Sequence, residues 1–197
     1  MLKNHFYDVY DLQHLSEIET VFKTDGLVGL NVTIPFKEKV VPYLDELSDE
    51  AEKTGAVNCI LIKDQVKKGY NTDVFGFEKT LVLHRKDFHD SALVLGNGGA
   101  AKAVKYVLEQ HQIPYQTVSR NADLNFGNLT AETVRKNRLI IQCTPVGTFP
   151  NVDDCLDFPF DGITGQHLVV DLIYNPDYTT FIKKSSAKGA KTVNGFY

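Results

Sequence analysis

The sequence predicts an α/β protein of two α/β domains, the second a doubly wound parallel sheet. Three observations carry that prediction. From Ser91 onward strands and helices alternate at the spacing of crossover units. Ala92-Leu-Val-Leu95 is a short, unbroken apolar run, the composition of a parallel strand covered on both faces. Directly after it, a glycine-rich turn leads into a segment where Ala100, Ala103, Val104, Val107 and Leu108 recur with helical period. The expected domains are residues 1–84 and 91–190, divided by the polar stretch 85–90, with 191–197 starting a return to the first.

In the first unit, residues 6–10 read as a strand and 11–22 as a helix with Leu12, Leu15, Ile18 and Phe22 near one stripe. Residues 27–34 read as a strand running into Pro35, which fixes its own φ and biases Ile34 toward extended geometry. Strand side chains alternate, so Asn31 and Thr33 share one face while Leu30, Val32 and Ile34 take the other. Lys37 follows just past the strand end. An amide, a hydroxyl and an amine aimed by rigid backbone suit a small polyhydroxylated substrate; the same pattern also describes a surface strand with an ordinary solvated lysine. Val40, Val41, Leu44 and Leu47 predict a helix with an acidic outer face, and Ser48 is placed to cap a further short helix through Lys53. Strands are expected at 56–62 and 66–70 around the polar link 63–65, then a helix at 75–84. In the second unit, strands are expected at 115–119, 139–143 and 168–173. Helices are expected at 130–137, opened by a Thr cap, and 180–188, stopped by Gly189.

Composition narrows the function. Apolar residues are 43% of the 197, enough for a core, and the net charge is −4, so no basic patch argues for nucleic acid or an anionic membrane. No apolar run reaches the length of a membrane span and no signal segment opens the chain. Cys59, Cys143 and Cys155 are odd in number, lack C-x-x-C spacing and have no histidine at ligand spacing. They read as reduced, mostly buried thiols of a cytoplasmic protein with no metal site.

The turn Gly96-Asn97-Gly98-Gly99-Ala100-Ala101 fits G-x-G-x-x-A, the dinucleotide fingerprint, in the strand–turn–helix setting it requires. The first glycine permits the turn, the second lets backbone approach a pyrophosphate, and a small third residue lets helix pack on strand. The helix N-terminus offers free N–H groups and partial positive charge to the phosphates. This makes the unit Rossmann-like, although a tight turn with no ligand has the same sequence. The second strand ends in Ser119-Arg120-Asn121, with no Asp or Glu at the position that reads an NAD ribose. Arg120 is suited to pairing with a 2′-phosphate and stacking on adenine, which favours NADP over NAD.

Other polar residues also fall at predicted strand ends: Asn58 in Gly-Ala-Val-Asn, and Thr72-Asp73 after Gly69-Tyr-Asn71. Taken singly, Asn58 is equally a core or edge amide and Asp73 a helix cap. Together with Lys37 they resemble an acid–base site, since an aspartate beside a lysine holds the amine in place for proton transfer as hydride moves.

With these residues in view the chain resembles the shikimate dehydrogenase family. The resemblance runs through Asn31-Val-Thr-Ile-Pro-Phe-Lys37, Gly55-Ala-Val-Asn58, Gly69-Tyr-Asn-Thr-Asp73, Gly96 to Ala101, Thr144-Pro-Val-Gly147, Asp171-Leu-Ile-Tyr174 and Lys191-Thr-Val-Asn-Gly195. It implies reversible, NADPH-dependent reduction of 3-dehydroshikimate to shikimate on the route to chorismate and the aromatic amino acids. Lys37 and Asp73 match the family's catalytic pair. Thr33 and Asn58 match substrate positions, with Asn31 beside them and Tyr174 near the reacting centre. Gly96, Asn97, Gly98, Gly99 and Ala100 lie in the pyrophosphate turn. Ser119, Arg120 and Asn121 match the 2′-phosphate segment, and Thr144 and Val146 the approach to the nicotinamide half. The cleft is expected between the two domains, in a monomer or homodimer that takes only small-molecule partners.

The departures are equally specific. The family opens with a strand and a Ser-rich turn that grips the substrate carboxylate, and continues past its last Asn-Gly into a helix with a substrate-binding glutamine. Neither segment lies in residues 1–197, so truncation at both ends is expected, with the first strand absent. The usual Asn-Ala-Thr-Pro-Leu-Gly-Met reads Gln142-Cys-Thr-Pro-Val-Gly-Thr148, and Ala122-Asp123 stand where a second basic residue often follows the arginine. Two alternatives therefore stay open: a non-catalytic dinucleotide-binding relative, and an NAD-dependent quinate/shikimate dehydrogenase.

Overall fold

The computed structural model describes residues 6–195. Residues 1–5 and 196–197, on which part of the expected first domain and of the expected return fall, lie outside the described residues. The chain folds around two sheets. The elements of the first unit are α1 (Ile18–Val21), β1 (Gly29–Asn31), β2 (Glu46–Leu47), α2 (Asp49–Thr54), β3 (Cys59–Lys63), β4 (Val66–Tyr70) and α3 (Thr72–His84). Its four strands lie in the order β1-β3-β4-β2, antiparallel except that β2 runs parallel to β4. The β3–β4 link turns through Asp64 and Gln65, whose φ values of 51° and 64° suit a tight hairpin turn with the twist of its strands. Helix α2 starts where Ser48 Oγ accepts the Ala51 N–H at 3.3 Å and stops at Gly55, φ 60°, as its caps predict.

Beyond these come β5 (Ala92–Leu95), α4 (Gly99–Gln110), β6 (Tyr115–Val118), α5 (Ala131–Lys136), β7 (Leu139–Gln142), β8 (Leu168–Asp171), α6 (Thr180–Ala187) and β9 (Lys191–Val193). They form an all-parallel sheet in the order β6-β5-β7-β8-β9. From β5 the chain winds to β6 on one side and then to β7 on the other. In folds with this reversal, ligands bind at the carboxyl ends of the strands on either side of it, here β5 and β7. Helices α3 and α4 cover one face through Val74, Phe77, Leu81, Val104 and Val107. Helices α5 and α6 cover the other through Val134 and Phe181, the latter ringed by Phe158 and Phe160. Thr130 Oγ1 caps α5 by accepting the Thr133 N–H at 3.2 Å, and Gly189, φ 89°, follows α6 as expected.

Several local expectations do not hold. Residues 6–10 form no strand; they are exposed, and among the described residues no strand pairs with them, so they have no ladder to join. The expected helix at 11–22 shrinks to a 3-10 turn, Leu15–Glu17, and the four residues of α1. The strand at 27–34 is regular only over β1. Past it the Val32 N–H donates to the Asn58 carbonyl at 2.9 Å and the Phe36 N–H closes a turn on Thr33 O at 2.9 Å. Leu30 and Val32 reach the core, whereas Ile34 is 63% exposed. The helix expected from Val40 to Leu47 is a 3-10 turn, Val41–Tyr43, followed by extended Leu44 and β2. Pro42 lacks the N–H that an interior helical position needs, and pairing with β4 supplies the bonds instead. Leu44 and Leu47 still find apolar cover: with Val57 they fill the space above Gly69, where a Cβ would meet all three within 2.6–3.0 Å. The segment from Lys191, expected to begin the return, adds β9 to the parallel sheet beside β8.

Candidate active site

Lys37 Nζ lies 2.7 Å from Asp73 Oδ2, with the two side chains 18% and 30% exposed. Asp73 sits in the first turn of α3, where a carboxylate is favoured by the helix dipole. Its other oxygen, Oδ1, accepts from Asn58 Nδ2 at 2.7 Å. Asn58 Oδ1 in turn accepts the Thr72 N–H at 2.9 Å, so this side-chain amide both closes the helix N-terminus and holds Asp73. Backbone bonds fix the group: Val57 N–H donates to Lys37 O at 2.7 Å, and Asn58 N–H to Tyr70 O at 3.0 Å. Lysine, carboxylate and amide, distant in sequence, thus form one rigid chain of hydrogen bonds that leaves the ammonium free to bond outward.

The glycine turn stands directly behind this pair. Gly96 has φ 110°, and a Cβ there would meet Thr144 Cγ2 at 3.1 Å, so both conformation and space require glycine. A Cβ on Gly99 would come 3.2 Å from Lys37 Cβ. A Cβ on Gly98, the N-cap of α4, would instead enter open space, the cradle into which a phosphate fits. Asn97 Oδ1 accepts from Lys105 Nζ at 2.6 Å. Burial lowers the pKa of Lys105. At the end of β7, Gln142 is fully buried and grips the next turn: its carbonyl accepts the Thr144 N–H at 2.5 Å and its amide donates to Val146 O at 3.2 Å. Ser119 N–H bonds Leu124 O at 3.2 Å, which folds the segment after β6 into a turn that leaves Arg120 and Asn121 exposed.

The structure thus gathers Lys37, Asp73 and Asn58, and lays Gly96, Gly98, Gly99 and Thr144 beside them. Asn31 stands apart: its Nδ2 donates to Tyr7 Oη at 3.2 Å. Thr33 and Tyr174 are exposed, Tyr174 by 64%.

Sequence reasoning missed several contributors. In the sequence Thr72 stands out only as the neighbour of Asp73, and Gln142 only as a departure from a pattern. Asp171, at the end of β8, is fully buried; its carboxylate takes the Thr179 hydroxyl at 2.6 Å and the Ile173 N–H at 3.1 Å. Burial pushes its pKa up to about 6 against those bonds. The signal available was the Thr cap of α6 following an aspartate at a buried strand end. Burial, and then the Asp171 carboxylate, push the Cys143 thiol above its ordinary value, which favours the neutral thiol.

The family model of the shikimate dehydrogenase substrate binding domain matches residues 3–60. The NADP(+)-dependent shikimate dehydrogenase of Methanosphaera stadtmanae is 34% identical over 205 residues, covering 94% of this chain and 72% of its own length. The chain belongs to the shikimate dehydrogenase family. Among solved structures, the Thermus thermophilus shikimate 5-dehydrogenase in complex with NADP(H) and shikimate aligns with a TM-score of 0.76 at 30% identity, over 91% of this chain and 70% of that one. The Corynebacterium glutamicum quinate dehydrogenase in complex with NAD aligns with a TM-score of 0.78 at 27% identity, over 93% and 72%. This family member spans about two thirds to three quarters of the length of the curated relatives it matches.

Proposed function

We propose that this chain is an NADP-dependent oxidoreductase that interconverts 3-dehydroshikimate and shikimate, with Lys37 and Asp73 moving the proton. The observation that carries the proposal is the 2.7 Å Lys37–Asp73 pair packed against the glycine turn at Gly99. Family membership supports the reaction, and the naming of its relatives supports the cofactor.

NADPH, when bound, supplies the hydride that reduces the ketone. The residues fitted to hold it are Gly96, Asn97, Gly98, Gly99 and Ala100 at the pyrophosphate, Ser119, Arg120 and Asn121 at the 2′-phosphate, and Thr144 and Val146 at the nicotinamide half. In reduction, Lys37 gives a proton from Nζ to the developing alkoxide; in oxidation, its neutral amine takes the proton from the hydroxyl. Asp73 orients that amine and balances its charge, and Asn58 holds Asp73 in turn. Asn31, Thr33, Asn58 and Tyr174 belong to the proposed substrate cup. The division into residues 1–84 for substrate and 91–190 for dinucleotide is part of the same proposal.

A quinate dehydrogenase using NAD has the likeness to the Corynebacterium glutamicum structure in its favour. Arg120, and a strand end without an acid, favour NADP. The test is oxidation of shikimate and of quinate by this chain, each with NADP+ and NAD+. NADP+-linked shikimate oxidation is expected to dominate; equal or greater NAD+-linked quinate oxidation contradicts the proposal.

A further inference from the structure

Two consecutive residues of the Lys37 segment touch the first turn of one helix. The Lys37 side chain lies along Gly99, whose Cβ, if present, would meet Lys37 Cβ at 3.2 Å and Cδ at 3.5 Å. One residue on, Glu38 Oε2 receives Lys102 Nζ at 2.6 Å. The Lys102 N–H donates to the Gly98 carbonyl at 3.2 Å, so Lys102 is built on the glycine turn itself. Further along α4, Lys53 Nζ lies 5.8 Å from the Tyr106 ring centroid and Glu78 meets His111 at 3.1 Å. Helix α4 therefore meets the first unit at several points, and its charge pair next to Lys37 is Glu38–Lys102.

We propose that the Glu38–Lys102 ion pair is an electrostatic clamp that positions Lys37 over the dinucleotide turn. The inference rests on the assignment of Lys37 as the proton carrier. Lys102 is 36% and Glu38 44% exposed, so solvent screens the pair and its share of global stability is small. Its leverage is local. Asp73 and the Val57–Lys37 backbone bond hold Lys37 within the first unit, whereas Gly99, without a side chain, offers no resistance to that group sliding along α4. The ion pair one residue away supplies that resistance. Proton transfer to a carbonyl oxygen depends steeply on placement, since an error of about 1 Å can cost on the order of a hundredfold in rate. Glu38 and Lys102 are positioning residues, acting through Lys37.

The test is a double-mutant cycle on the full chain with Glu38→Gln, Lys102→Gln and the double variant, repeated with Glu38→Ala. Two readouts are taken: kcat and KM for shikimate at saturating NADP+, and the rate at which Lys37 is modified by trinitrobenzenesulfonate, followed by peptide mass spectrometry. Each single variant is expected to lower kcat about fivefold with KM within about twofold, and the double variant to fall no further than the singles. Lys37 modification is expected to quicken by about threefold in each variant, as the side chain leaves Gly99. Additive losses in kcat, or an unchanged modification rate, overturn the clamp. A parent chain that does not oxidise shikimate, but whose Lys37 reactivity rises non-additively in the cycle, leaves the clamp standing and overturns the function proposed above.

Discussion

Every residue of β5, β7 and β8 is buried, whereas β1, β3 and β4 of the first sheet each keep exposed or half-exposed positions. The parallel sheet has helices on both faces; the first sheet packs one face on Leu30, Val32, Val57 and Ile60 and leaves Leu61 46% exposed. In the proposed function the two sheets divide the demands of a dehydrogenase. A sheet buried on both sides is a stiff platform whose strand ends hold a glycine turn in register. A half-covered sheet leaves polar residues near its strand ends less buried, Asn31 exposed and Asn58 half-buried. The Lys37–Asp73 pair stands where the two meet.

The widest separation between the regions is expected in stability. Ile141→Ala in β7 removes a fully buried side chain and is expected to cost about 2–5 kcal/mol, while Leu61→Ala in β3 costs about 1 kcal/mol or less. Urea unfolding of both variants checks this, and similar losses would erase the distinction between platform and working face. Next comes a change on the platform that touches function alone. Gly98 has φ −88°, its Cβ would enter open space and aspartate suits an N-cap, so Gly98→Asp is expected to leave the unfolding midpoint near the parent's. The same change fills the phosphate cradle and is expected to weaken NADPH binding by about tenfold or more, read from NADPH fluorescence. A smaller effect is expected at the rim. Arg120→Ala is expected to raise KM for NADP+ about tenfold while KM for NAD+ moves less than about twofold, because only NADP+ carries the 2′-phosphate. Equal changes for both would remove Arg120 from the 2′-phosphate site.

The smallest effect concerns the end of the parallel sheet away from the site. His89 is buried; its Nδ1 accepts the Lys86 N–H at 2.9 Å, which leaves Nε2 to donate to Gln166 O at 3.0 Å. Burial lowers its pKa below the ordinary 6.5, so the folded state favours the neutral ring. The unfolded chain then binds more protons, and this contribution to stability is present above pH 6.5 and lost as pH falls below it. In the protein with His89→Gln, the fall in unfolding midpoint on acidification below pH 6.5 is expected to be shallower than in the parent.

The same contrast explains what was legible in the sequence. Ala92–Leu95, Leu139–Gln142 and Leu168–Asp171 announce themselves because strands covered on both faces are apolar runs, broken here only by Gln142 and Asp171 at the last positions of two of them, and the glycine turn sits at a fixed offset from the first. The first sheet is harder to read. Val40, Val41, Leu44 and Leu47 have the spacing of a helix, and only Pro42 and the pairing of Glu46–Leu47 with β4 show why it does not form. In the site, Lys37, Asp73 and Asn58 were recognisable as polar residues at strand ends. Their convergence within 2.7 Å depends on pairings between β1, β3 and β4 that local sequence does not encode. Gln142 and Asp171 bond the turns that directly follow their strands, and only the Thr179 cap hints at the second; the Glu38–Lys102 pair joins residues 64 apart and left no local signature.

The account rests on chemistry in the first unit and cofactor in the second, and Lys37→Ala separates them most directly, since alanine keeps the Cβ that lies against Gly99. NADP+-dependent shikimate oxidation and NADPH binding are measured on the same preparation of this chain and its variant. Turnover is expected to fall about a thousandfold while the NADPH dissociation constant stays within about twofold of the parent's. Turnover within about threefold of the parent's would contradict the account.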